Sequence, residues 1–73
     1  MQMEKVDSSN VEAIGHEGDV MHVEFKHGGT YEYKGVTAAG FAKLKGAHSI
    51  GVHLRKMDVK GVKLPEQDRK KGN

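Results

Sequence analysis

The strongest constraint in this chain is a phase relation between two neighbouring segments. In Val20 to Lys26, the apolar Met21, Val23 and Phe25 alternate with His22, Glu24 and Lys26. After His27-Gly28-Gly29, the run Thr30-Tyr31-Glu32-Tyr33-Lys34 alternates again, with both tyrosines in one phase. A period of two marks a strand with one buried face. Two such runs around a glycine pair predict a β-hairpin. The phase then decides the loop. A two-residue Gly28-Gly29 turn pairs Phe25 with Glu32 and sets an acid beside the apolar face. A three-residue loop, His27 to Gly29, pairs Phe25 with Tyr31 and Val23 with Tyr33, and all the apolar groups share one face. A slip of one residue sends every side chain to the other face. The three-residue loop is therefore expected, with Gly29 in the left-handed bulge position.

Other segments are placed relative to this hairpin. Val11 to Ile14 alternates weakly and predicts a short first strand, with Gly15 to Asp19 as the turn leading into Val20. After Gly35-Val36 the period changes. Thr37 is a suitable N-cap for a helix over Ala38–Lys45, with Phe41, Leu44 and Ala47 as its apolar stripe and Gly46 as its stop. Ser49 caps a second helix over Ile50–Met57, in which Ile50, Leu54 and Met57 share one face. Val59, Val62 and Leu64 are scattered apolar points, Pro65 blocks helix continuation, and Glu66 to Asn73 is polar. The expected fold class is α+β: a three-stranded antiparallel meander packed by two short helices, with a disordered C-terminal tail. The expected divisions are a flexible N-terminus (1–7), a folded domain (8–57) and a basic, largely disordered tail (58–73).

A chain of 73 residues builds a core supplying only ~3–5 kcal/mol of net stability and leaves no room for a deep, buttressed cleft. That weighs against catalysis. No cysteine is present, which favours a reducing compartment. Met1 to Asp7 has no apolar run of the signal-peptide kind, and no stretch approaches a membrane span. The expectation is a cytoplasmic protein without a membrane partner. Charge is divided along the chain. Residues 1–32 carry two lysines against seven acids, and residues 33–73 carry ten basic residues against three acids. Such asymmetry points to a charged partner for the basic end.

Candidate chemistry is sparse. The five histidines, His16, His22, His27, His48 and His53, include no i, i+4 pair on a helix, so no metal site is expected and they read as solvated side chains. Ser8, Ser9 and Ser49 read as caps, not nucleophiles. No cofactor motif is present: Gly15 to Gly18 and Gly28-Gly29 are turns that do not lead from a strand into a helix. The protein is expected to be no enzyme. Tyr31 and Tyr33 can stack on bases, but their phase favours packing against Val23 and Phe25. The basic residues Arg55, Lys56, Lys60, Lys63, Arg69, Lys70 and Lys71 fit either RNA phosphates or an acidic protein surface.

From Ser8 to about Met57 the order of residues resembles the KTSC domain family. The resemblance rests on Ser8-Ser9, Ala13-Ile14-Gly15, Val23-Glu24-Phe25 with Gly28 three residues on, Tyr31-Glu32-Tyr33, Gly35-Val36 and Ser49-Ile50-Gly51. It implies a small sheet with helices and a role in which RNA binding has been suggested. Tyr31, Tyr33, Ser49 and Gly51 are the family-motif positions, read here as structural. The family often has an aromatic residue where His16 stands. Taken whole, tail included, the chain also resembles the small RNA-polymerase-binding regulators of lytic Xanthomonas phages.

That second resemblance implies a monomeric, non-enzymatic protein of host takeover that acts in the host cytoplasm. It would bind the large subunits of host RNA polymerase near the RNA exit path, inhibit initiation and permit terminator readthrough (antitermination), with contact to nascent RNA in reach. The expected contacts are Lys5, Val6, Asp7 and Ser8 on one side and Arg55 to Lys71 on the other. The alternative expectation is an RNA-binding module acting through the basic C-terminal half and the Tyr-x-Tyr face. Residues 8–57 carry six basic residues against five acids, a near-neutral body that favours a protein partner.

Overall fold

In the computed structural model, which describes residues 1–57 and 59–65, the hairpin that dominates the sequence is the centre of the sheet. β3 (Val20–Phe25) and β4 (Gly29–Lys34) pair antiparallel, with Met21 opposite Tyr33 and Val23 opposite Tyr31. The loop holds three residues, but they are 26–28. The register is thus offset by two from the expected Phe25–Tyr31 pairing. An offset of two keeps each side chain on its face, so the shared apolar face survives. The offset follows from Gly29, which has the expected left-handed φ of 81° but opens β4 opposite Phe25 instead of ending the loop. The neighbouring strand holds the other side, where Lys26 N donates to Asn10 O at 2.9 Å.

β2 (Val11–Glu17) pairs with the outer side of β3 and is longer than the sequence predicts. The turn is confined to Gly18-Asp19, with Gly18 at φ 67°. Gly15 and His16 belong to the strand.

Two more strands correct the expected three. β1 (Met3–Lys5) pairs with β2 within the segment expected to be flexible. Its partner Gly15 explains the pairing: a Cβ there would stand 2.7 Å from Met3 Sδ and 2.8 Å from Gln2 O. β5 (Gly61–Lys63), within the segment expected to be disordered, pairs with β4, Gly61 opposite Tyr33 and Tyr31 opposite Lys63. Leu64 N extends the ladder to Thr30 O at 2.9 Å. A Cβ on Gly61 would stand 2.5 Å from the Tyr33 ring, so the glycine lets the chain lie against that ring. The described residues thus form a five-stranded antiparallel sheet in the order β1-β2-β3-β4-β5.

The helices form as their caps dictate. α1 (Ala38–Lys45) starts at Thr37, whose hydroxyl accepts from Gly40 N at 3.0 Å, and stops at Gly46. α2 (Ile50–Lys56) starts at Ser49, whose hydroxyl accepts from Val52 N at 3.4 Å. It stops one residue before the expected end, because Met57 takes an extended conformation. The predicted stripes face inward. Leu44, Ile50 and Leu54 are buried with Val11, Ile14, Met21, Val23 and Val36, while Phe41 and Met57 pack at the margin. Val59, expected to be a free apolar point, also packs on this core, while Val62 stays exposed. No helix among the described residues is long and apolar enough to cross a membrane.

A candidate binding groove beside the Tyr-x-Tyr strand

Alternation in β3 and β4 sends Met21, Val23, Phe25, Tyr31 and Tyr33 to the side of the sheet that carries the helices. Two aromatic corners result. At the first, His16 stacks on Phe41 with ring centroids 5.0 Å apart and planes 17° apart. Its Nε2 lies 2.6 Å from Val36 O. Lys45 Nζ sits 5.5 Å from the Phe41 ring centroid and 3.0 Å from Glu4 Oε1. His16 was expected to be a solvated departure from an aromatic family position; here its ring does the work of an aromatic one. His22 is not free either: its Nε2 lies 3.2 Å from Glu32 Oε2 on the opposite face.

The second corner is open. Tyr31, Tyr33, Ser49 and Gly51, the four family-motif positions, line one groove of about 430 Å³ between β4 and α2. Phe25 meets Tyr31 edge-on at 5.5 Å between centroids. Asn10 closes one side, and Gly51 leaves the floor clear; the nearest neighbour to a Cβ there would be Asn10 Nδ2 at 3.6 Å. Arg55 stands on the wall formed by α2. An adjoining hollow of about 470 Å³ continues past Tyr31 to His27 and Gly28. Burial, then the nearby Tyr31, push the Tyr33 hydroxyl above its usual pKa of 10.0, so it stays protonated and can donate. Among the described residues no carboxylate lines the groove or the hollow. Among the described residues Arg55 has no ion-pair partner. This arrangement can hold a flat ring by its face, satisfy polar edges through amide and hydroxyl groups, and neutralise an anion.

The sequence-predicted contacts occupy other places. Lys5 lies on the β1 edge and pairs with Glu12 at 3.5 Å. Val6 is half-buried against the core and donates its N–H to Glu12 O. Ser8 turns its hydroxyl inward to accept from Asn10 N and Val11 N, the cap expected of it. Only Lys5 and Asp7 of that group offer exposed side chains. Arg55, Lys56, Lys60 and Lys63 are exposed; Lys60 and Lys63 lie at β5, the edge of the sheet opposite β1, and Arg55 shares the groove with Gly61 of that strand. Arg69, Lys70 and Lys71 lie outside the described residues. Asn10, Phe25 and His27 were not singled out as site residues. Asn10 sits at a loop end, and His27 in a turn, where no periodicity marks a role. Among the described residues no group of three or more His, Asp or Glu side chains is placed to hold a metal ion.

Comparison with known proteins agrees with this frame. The KTSC domain model matches residues 7–58. Among solved structures, a KTSC domain protein from Yersinia pestis has a similar fold, with a TM-score of 0.79 and 28% identity over 88% of this chain and 97% of that one. No match is found among curated proteins.

Proposed function

The chain belongs to the KTSC domain family, and from that premise we propose that it is a non-enzymatic regulator that binds host bacterial RNA polymerase, inhibiting initiation and permitting readthrough of terminators. The observation that carries the proposal is the separation of its two charged contact groups. Lys5 and Asp7 lie by the β1 edge, and Lys60 and Lys63 by the β5 edge, with Arg55 across the groove from Gly61 and Lys56 next to it in α2. Four strand spacings of ~4.8 Å put the edges roughly 19 Å apart. One rigid sheet thus presents two contact surfaces at fixed separation. A body of that form can brace two elements of a larger enzyme, and the near-neutral charge of residues 8–57 suits a protein surface better than a phosphate backbone. Binding to the large subunits near the RNA exit path would place the brace where a terminator hairpin must form.

A second reading, direct RNA binding through the basic half and the Tyr-x-Tyr face, draws support from the groove that joins the two tyrosines to Arg55. One experiment separates the two. Tagged protein is used to capture partners from a Xanthomonas lysate, with and without nuclease. Polymerase subunits retained after nuclease, and lost when Lys5 and Arg55 are both reversed in charge, support the first reading. Polymerase recovered only while nucleic acid is intact overturns it.

A further inference from the structure

The polymerase reading uses the edges of the sheet and, Arg55 apart, leaves the groove beside β4 without a role. The groove is selective in composition. Its walls are the rings of Phe25, Tyr31 and Tyr33, and among the described residues its one charged side chain is the guanidinium of Arg55. A guanidinium without an ion-pair partner among the described residues favours an anion by simple charge complementarity. Ring faces favour a flat, polarisable partner over an aliphatic one. The Asn10 amide can donate and accept at once, as the edge of a heteroaromatic ring requires. Gly51 keeps the floor free of a side chain.

We propose that this groove binds a single unpaired nucleotide, its base against the Tyr31 and Tyr33 rings, its edge read by Asn10, and its phosphate held by Arg55. The proposal rests on the second of the two readings above and names the ligand class of that site. The same chemistry is offered by a free mononucleotide and by a base splayed from a single strand.

The test is an NMR titration of the full-length labelled protein with AMP, adenosine, inorganic phosphate and a short single-stranded oligoadenylate. AMP is expected to move the amide signals of Tyr31, Tyr33, Gly51 and Arg55, and adenosine to bind about tenfold more weakly, the cost of one charge-assisted contact. Arg55→Gln, an exposed change that leaves the core alone, should erase that difference. Tyr31→Leu should weaken AMP about tenfold or more through lost stacking. Equal affinity for AMP and the oligonucleotide assigns a free nucleotide. A stronger response to the oligonucleotide at the same amides assigns a strand. Silent groove amides at millimolar AMP and with the oligonucleotide overturn the proposal, as do oligonucleotide shifts confined to the Lys60 and Lys63 region. Because no polymerase is present, the polymerase reading stands or falls separately.

Discussion

The two aromatic corners of the helix-covered face are built from similar parts and reach opposite outcomes. At the His16 corner every group is answered within the fold. The ring stacks on Phe41, Nε2 meets Val36 O, and Lys45 covers Phe41 while pairing with Glu4. At the Tyr31–Tyr33 corner Tyr31 meets Phe25, Tyr33 packs on the core beside Gly61, both rings also line the groove, and Arg55 has no partner among the described residues. A closed corner contributes stability. An open one has contacts left to give to something else. The difference teaches where binding is to be sought, because a surface that has already satisfied itself gains little from a partner.

Mutations can break this contrast or sharpen it. The largest effect is expected under the closed corner, where Leu44 is fully buried. Leu44→Ala should cost about 3 kcal/mol, most of what so small a core supplies, and the urea midpoint read by circular dichroism should fall by more than half. Next comes Gly61→Ala. Its methyl would collide with the Tyr33 ring, and overpacking of that kind costs about 1–3 kcal/mol. Urea unfolding should show the loss, and the β5 amides should exchange faster than those of β3.

His16 then sharpens the comparison. His16→Phe keeps a ring on Phe41 and removes the partner of Val36 O, for a loss of about 1 kcal/mol. His16→Ala removes both and should cost about 2 kcal/mol. A gap between the two denaturation midpoints measures the stack. The smallest effect concerns Tyr33, whose folded pKa is raised by burial and by Tyr31. The unfolded chain gives up this proton more readily. The stability contributed by the buried neutral phenol is therefore whole below about pH 10 and declines as pH rises through that value toward the raised folded pKa. Tyr33→Phe should flatten that part of the curve, seen as a smaller loss of urea midpoint between pH 9 and pH 11.

Much of the fold could be read from short-range signals. Thr37, Gly46 and Ser49 mark the helix ends because capping is local chemistry, and the helix stripes predict Leu44, Ile50 and Leu54 as core. The alternation around Gly28-Gly29 predicts which side chains share a face, but not the register, because a shift of two leaves that pattern unchanged. β1 and β5 escape a reading of periodicity because each is three residues long and carries charge, and β5 is in addition ordered by a strand 26 residues away. Gly15 and Gly61 were the available clues, and a glycine reads as a turn until its opposite neighbour is known. The site was half legible. Tyr31, Tyr33, Ser49 and Gly51 were singled out but read as structural, since no sequence pattern shows that strand, helix cap and helix floor meet around one hollow. The proposed edge contacts depend on partners that lie outside the fold.

Strand order along the chain equals strand order in space, yet the final pairing is unlike the rest. The first four strands are joined by short connections, whereas 26 residues, including both helices, separate β4 from β5. The early hairpins can form on the microsecond scale. The last must close a loop several times longer, against a correspondingly larger entropy cost. β5 closes the longest of the four strand connections and forms one boundary of the groove through Gly61. Refolding followed by pulsed amide labelling should find protection at β2 and β3 before β5, so the groove is completed in the last step of folding.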